Sequence, residues 1–587
     1  MNEPANVTPV NEPPMQIDWD VPVAMDDGVV LRADIFRPPG DGRHPVILTY
    51  GPYAKGLAFQ DGYPSAWNRM AEKHPDVTAG STNRYANWEV VDPEKWVPDG
   101  YACVRVDSRG AGRSPGYLDP WCPRETEDVA QCIEWTAAQP WSNGKIGLNG
   151  ISYYAMNQWW VASRRPAPPH LAAICAWEGA ADFYRDLTHH GGILCTFARN
   201  WYDMQVKTVQ HGVGERGPRS PVTGELACGP ETLSESELAN NRADFGAEIR
   251  SHPLDDDYHR SRSAVWENVT VPLFSAANWG GQGLHPRGNF EAFVRAASSD
   301  KWLEAHGIEH WTEFYTDYGV RLQKQFFARF LKDEPDAMRD WPRVRLQVRH
   351  VDRFEERHED VWPIARTRWT KLYLDVRDRT LRERMPSGTT AIAYDALGDG
   401  LTFLGEPLAV ETEITGPLAA RVFVSSSTRD ADVFAVLRAF APNGEEVVFQ
   451  GAIDPHTPLA QGWLRASHRA LDPALSTPYR PYHTHAVAEP LTSGEAVQLD
   501  IELWPTSIVL PAGYRLAFTL RGRDYVYPGG GGGRLSNFKN EMTGCGPFLH
   551  DDPDDRPPEI FGGTNTLHAG DGAQPYVLLP IVPPRSD

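Results

Sequence analysis

Gly150-Ile151-Ser152-Tyr153-Tyr154 sets a serine between a short apolar run, KIGL, and a stretch with helical spacing. A serine on a tight turn from strand to helix is lifted clear of the sheet and faces outward at the helix N-terminus. Backbone N–H groups and the helix dipole converge there and favour an oxyanion. The chemistry this suits is acyl transfer, with Ser152 as nucleophile. The match to G-x-S-x-G is incomplete, because Tyr154 stands where the last glycine belongs. An ordinary N-cap serine is the competing explanation.

The elements needed to hold such a turn are present. Residues 21–25 and 29–36 alternate in polarity around Asp26-Asp27-Gly28 and predict a hairpin. Residues 45–50 (PVILTY), 101–107 (YACVRVD), 145–148 and 171–177 (LAAICAW) are short apolar runs, as in strands buried on both faces. Helical spacing over 125–139 and 152–163 falls between them, so the expected architecture is a doubly wound, mainly parallel α/β sheet. From about 181 to 262 this rhythm breaks into segments rich in His, Arg, Trp and Asn, expected to form a helical cap. Strands resume at 271–276 and 301–305, and a helix at 320–332 closes the unit. Beyond 343, many short alternating segments without helices predict a β-sandwich or jelly roll. The expected organisation is a loose arm (1–15), a hydrolase domain in two parts (16–180 and 263–342) around the cap (181–262), and a C-terminal jelly roll (343–587). Gly529 to Gly533 is expected to be a flexible connection.

Several segments, in order along nearly the whole chain, resemble the cocaine esterase / X-Pro dipeptidyl-peptidase family of CocE/NonD-type α/β-hydrolases, which includes α-amino-acid ester hydrolases and β-lactam acylases. They include GPYAK (51–55), DSRGAGRSPG (107–116), QPWSNGKIGLNGISY (139–153), GAADFYRD (179–186), HPLDDDY (252–258), VPLFSAANW (271–279), HGIEHW (306–311), GPLAARVFVSSSTRDADV (416–433) and PAGYRLAFTL (511–520). The resemblance implies a serine hydrolase with cap and jelly roll, acting on an ester or amide. It implies Ser152 as nucleophile and His310, which ends HGIEH, as general base. The oxyanion hole would come from the Tyr53 hydroxyl and the Tyr153 N–H. A hydroxyl needs a base to take its proton, and a carbonyl oxygen needs donors as charge develops.

One element of the pattern is absent. The family places its triad aspartate in G-W-x-D, whereas this chain reads Asn278-Trp279-Gly280-Gly281-Gln282. A catalytic imidazole needs an acceptor at its second nitrogen to fix the tautomer. Glu178, at the end of the strand after the nucleophile, is the expected replacement. Gln282 and Glu309 are the other candidates, and Asp182 matches a family position that is not the triad acid. Trp177, Trp201 and Trp279, near strand ends or the cap, are weaker candidates to line an acyl pocket.

Competing functions are a zinc hydrolase, a peptidase or acylase specificity, and a decayed enzyme that only binds. HGIEH fits H-x-x-E-H, but that motif needs a helix, and Gly307 with the strand-like KWLEA before it argues against one. His189, His190 and the other histidines show no ligand spacing. Neither a metal nor a cofactor is therefore expected. Over 587 residues the net charge is −21 and the pI about 5.4, which disfavours nucleic acid and anionic membranes as partners. Seven cysteines form no C-x-x-C pair and read as free thiols of a reducing compartment. The first residues lack a basic start and apolar core, and no run of about 18 apolar residues occurs, so a cytoplasmic protein is expected. The partner expected is a small ester or amide, and a homo-oligomer is compatible with the sequence.

Overall fold

A computed structural model describes residues 13–531, 538, 541–570 and 572–585. Most of the expected N-terminal arm, and Gly532 and Gly533, lie outside them. Ten strands form the first sheet: β1 (Gln16–Ala24), β2 (Val30–Arg37), β3 (His44–Gly51), β4 (Ala102–Asp107), β5 (Ser142–Ile151), β6 (Leu171–Trp177), β7 (Leu273–Asn278), β8 (Lys301–His306), β9 (Val344–Arg349) and β10 (Phe354–Glu359). Their spatial order is β1-β2-β4-β3-β5-β6-β7-β8-β9-β10. The strands from β4 to β9 run parallel, and the hairpins at either edge are antiparallel. Strands β4 and β7 are buried along their whole length. Layers on both faces exclude water, which explains why these segments are continuous in Val, Ala, Cys and Phe rather than alternating.

Four helices matter for the site: α1 (Pro123–Ala137), α2 (Tyr153–Ala162), α3 (Pro286–Arg295) and α4 (Asp317–Leu331). Helix α2 follows β5 directly and is buried nearly all round, consistent with its sequence YYAMNQWWVA. Helix α4 crosses β5 at Gly147, where a Cβ would come within 2.5 Å of the Phe327 ring. The cap is built of short helical turns, including π-helical turns at Phe183–Thr188 and Tyr202–Val206.

The first sheet runs past the expected boundary at 343. Strands β9 and β10 belong to the hydrolase sheet, with Leu303 opposite Val344. Strand β9 lies near the sheet edge and alternates in burial, so its sequence reads like a strand of a sandwich. The second, largely antiparallel β unit begins at Arg368–Asp375 and ends at Tyr576–Ile581, and is a jelly-roll-like sandwich with its own core around Phe403, Val422, Leu437, Ile501 and Phe518. Buried Arg287 on α3 ties the units together, donating to Asp186 at 3.0 Å and to Glu502 of the sandwich at 3.1 Å. No helix among the described residues is long and apolar enough to cross a membrane.

Candidate active site

Ser152 sits between β5 and α2 with φ 55° and ψ −112°. This left-handed backbone is costly for a residue with a Cβ and persists only where the surroundings impose it. Its N–H donates to the Trp177 carbonyl at 3.0 Å, and its hydroxyl makes no capping bond, so the N-cap explanation does not account for it. Tyr154 is accommodated by glycines elsewhere. A Cβ on Gly51 would lie 2.5 Å from the Tyr154 ring, and one on Gly150, at φ 155°, would lie 2.4 Å from its Cβ.

Glu178 lies just past β6, at φ 48° and 1% exposed. One carboxylate oxygen accepts from His310 Nδ1 at 2.8 Å and the other from His306 Nε2 at 3.1 Å. Burial alone would raise this carboxyl. The two imidazoles outweigh it and hold the group below the usual carboxylate range. His306 in turn donates from Nδ1 to Glu304 at 2.7 Å. The other candidates are engaged elsewhere: Gln282 donates to the Pro505 carbonyl, Glu309 pairs with Arg69, and Asp182 pairs with Arg185.

His310 Nε2 is not hydrogen-bonded to Ser152. It lies 3.0 Å from an oxygen of Glu89, which is 2% exposed and has φ 62°. Flanked by two carboxylates, His310 is raised to about 9, the attraction of Glu178 and Glu89 exceeding the downward push of burial. Burial raises Glu89 to about 7, with His310 working against it. One proton must lie between His310 Nε2 and Glu89, whichever residue formally owns it. The nitrogen near the Ser152 hydroxyl is Nε2 of His285, at 3.2 Å. The His285 ring stacks on that of His310 at 4.6 Å and 4°, and its Nδ1 is buried without a hydrogen-bond partner. Burial and then the charge of His310 hold His285 well below the ordinary histidine range. Glu178, His285 and His310 bring donor atoms within 4.8 Å of one another. Parallel stacked rings cannot both direct in-plane lone pairs at one ion, so this cluster suits proton transfer better than metal binding. HGIEH does not form a helix: His306 ends β8, and residues 307–310 turn so that both histidines reach Glu178.

Tyr53 is buried beside Ser152, and its hydroxyl accepts from Trp201 Nε1 at 3.0 Å. Burial keeps the phenol protonated, so its own proton remains available for a substrate oxygen. The Tyr153 N–H is the first of α2 and has no intrahelical acceptor. Its side chain turns away and donates to buried Glu125. A cleft open to solvent lies above Ser152, with Trp88, Trp121, Trp201, Phe197, Leu284 and Phe548 among its walls. Of the three tryptophans proposed for it, only Trp201 lines it. Trp177 packs under the sheet against Phe274, His306 and Phe314, and Trp279 stacks on Phe290 toward Trp362, so both belong to the core.

Residues 27–312 match the model of the X-Pro dipeptidyl-peptidase (S15 family), and residues 336–574 match that of the X-Pro dipeptidyl-peptidase C-terminal non-catalytic domain. The crystal structure of a CocE/NonD family hydrolase from Staphylococcus aureus superposes with a TM-score of 0.81 at 32% identity, covering 97% of this chain and 94% of that one. The chain belongs to the CocE/NonD family of hydrolases. Cocaine esterase from Rhodococcus sp. is 26% identical over 96% of this chain and 98% of its own length. A putative serine esterase from Mycobacterium tuberculosis is 24% identical over 86% and 90%. An α-amino acid ester hydrolase structure, 16% identical with a TM-score of 0.64, shares the fold. The CocE/NonD protein described here is therefore a serine hydrolase with an α/β-hydrolase domain and a C-terminal jelly-roll-like domain.

Proposed function

We propose that this hydrolase cleaves carboxylic esters with a bulky apolar acyl group, through an acyl-enzyme on Ser152. The observation that carries the specificity is the cleft. Aromatic and aliphatic side chains form most of its wall, and the sole carboxylate lining it among the described residues is Glu89, already engaged by His310. An aminoacyl or peptide substrate brings an ammonium group that needs a free carboxylate. That need speaks for an esterase over an X-Pro peptidase or amino-ester hydrolase.

In this mechanism the substrate carbonyl oxygen lies between the Tyr53 hydroxyl and the Tyr153 N–H. As the cleft fills, the proton shared with His310 stays on Glu89, which leaves as a neutral carboxyl; the proton of Ser152 Oγ then passes to the freed His310 Nε2 as Oγ forms its bond to the carbonyl carbon. Glu178 fixes the Nδ1–H tautomer and stabilises the imidazolium. His310 then protonates the leaving alkoxide, and water repeats the sequence to free the acid. A second reading makes His285 the base, because its Nε2 is the nitrogen near Ser152. It is the weaker, since His285 Nδ1 has no acceptor to stabilise a positive ring. A panel of aromatic and aliphatic acyl esters, amino-acid esters and X-Pro anilides tests the specificity. The highest kcat/KM should fall on apolar acyl esters, and preferred cleavage of the anilides would overturn it.

A further inference from the structure

Away from the catalytic residues, the cap and the C-terminal unit meet at a second cluster of histidines. His190 and Cys195 come from the cap and His550 from the segment after the sandwich strand Arg515–Arg521; all are at most 2% exposed. His190 Nδ1 lies 2.9 Å from His550 Nε2, and Cys195 Sγ completes a triplet of donor atoms within 4.8 Å of one another. The two rings are inclined at 64°, so their lone pairs can converge on one point, unlike those of His285 and His310.

The proton count shows what belongs at that point. His550 Nδ1 faces Asp524 at 2.8 Å and must carry a hydrogen to donate to it. His190 Nε2 faces the Asp186 carbonyl at 3.3 Å, and the tautomer that donates there carries its hydrogen on Nε2. These two hydrogens use up the single N–H of each neutral imidazole. Both nitrogens at the 2.9 Å contact are then bare lone pairs pointing at each other, beside a sulfur atom. In that tautomer the contact is repulsive unless a cation lies within it; the alternative, an Nδ1–H of His190 donating to His550, gives up the bond to the Asp186 carbonyl. A third proton would serve the nitrogens without involving the sulfur.

We infer that His190, Cys195 and His550 form a structural site for a divalent transition metal of the zinc class. Imidazole and thiolate are the donors such an ion prefers, and a ligating histidine normally gives its other N–H to a carboxylate or backbone carbonyl, as both do here. On binding, the Cys195 thiol releases its proton to solvent, and the two imidazoles keep theirs. The ion's two positive charges are then balanced by the thiolate and Asp524. Tetrahedral zinc bonds need donors about 3.4 Å apart, so the nitrogens separate by about half an ångström. The site also has a use. Phe197, two residues from Cys195, and Phe548, two from His550, pack at 4.9 Å and wall the catalytic cleft, and Thr196 N–H donates to the Leu549 carbonyl at 2.8 Å. The metal would pin the cap against the C-terminal segment where they shape the acyl pocket.

The test is metal analysis of the full-length, untagged protein made in zinc-supplemented medium, with cobalt-grown protein in parallel. One zinc per chain should survive dialysis against a weak chelator, and the cobalt protein should show a thiolate-to-metal absorption band. Cys195→Ala should lose both. Absence of the band in the unmutated protein overturns the inference without reference to any variant. So does zinc kept by Cys195→Ala, which would place it elsewhere. Zinc content reports on this site whether or not the esterase reading holds.

Discussion

Replacing Glu178 by Gln removes one charge and little volume, and the structure says which way the new amide would face. His306 is held by Glu304 on its other nitrogen and donates from Nε2 toward Glu178. The amide oxygen must accept that bond, which leaves the NH2 group facing His310 Nδ1. An N–H donor at Nδ1 demands a lone pair there and puts the ring hydrogen on Nε2, the wrong tautomer for a base. A triad locked in the wrong tautomer loses about 10⁴-fold in kcat, or roughly 5.5 kcal/mol of transition-state stabilisation. Part of the same loss is electrostatic: His310 stands near 9 against an ordinary 6.5, and Glu178 leads the attractions that raise it. We expect kcat on an activated ester to fall by about 10³ to 10⁴. KM should change little, because Glu178 does not line the cleft. Steady-state kinetics on protein with an unchanged circular dichroism spectrum measures both. A kcat within about tenfold of the unmutated enzyme would refute the assignment of Glu178 as the triad acid.

Removing the Tyr53 hydroxyl in Tyr53→Phe should lower kcat by about 10²- to 10³-fold with the fold intact, as expected for one oxyanion donor; an unchanged kcat would move the hole elsewhere. Activity should rise with pH, because His310 accepts the serine proton only after losing its own, and two carboxylates hold that proton on. Glu89→Gln removes one of them, so the apparent pKa of the acid limb in a kcat/KM profile should move down; a fixed or rising value contradicts the role given to Glu89. Arg287→Ala takes the cation from buried Asp186 and partly buried Glu502 and should cost about 3 kcal/mol in denaturant unfolding. An effect under about 1 kcal/mol would show that the pair does not tie the two units.

Much of this site was legible because its parts sit at strand ends. Ser152 follows the run KIGL and Glu178 follows LAAICAW, and a short apolar run with a polar residue at its end is visible without a structure. Three partners were not legible so. Glu89 lies in the long excursion between β3 and β4, and nothing local in NWEVVDP shows that the chain turns back beneath His310. His285 precedes Pro286 at the start of α3 and reads as an ordinary helix boundary. His306 was visible only as half of a zinc-like motif, and its part in fixing Glu178 depends on the turn at 307–310. The tryptophans failed for a related reason: position near a strand end does not say which face a side chain takes, and Trp177 and Trp279 took the core.

The most direct test of Ser152 activated through His310 and Glu178 is the rate of covalent labelling by a fluorophosphonate, read by intact mass and peptide mapping. The unmutated protein should take up one equivalent on the peptide containing Ser152. Ser152→Ala should take up none, His310→Asn should label more slowly by about three orders of magnitude, and His285→Asn should stay within about tenfold. Labelling away from Ser152, or loss of labelling in His285→Asn with His310→Asn unaffected, would contradict the account.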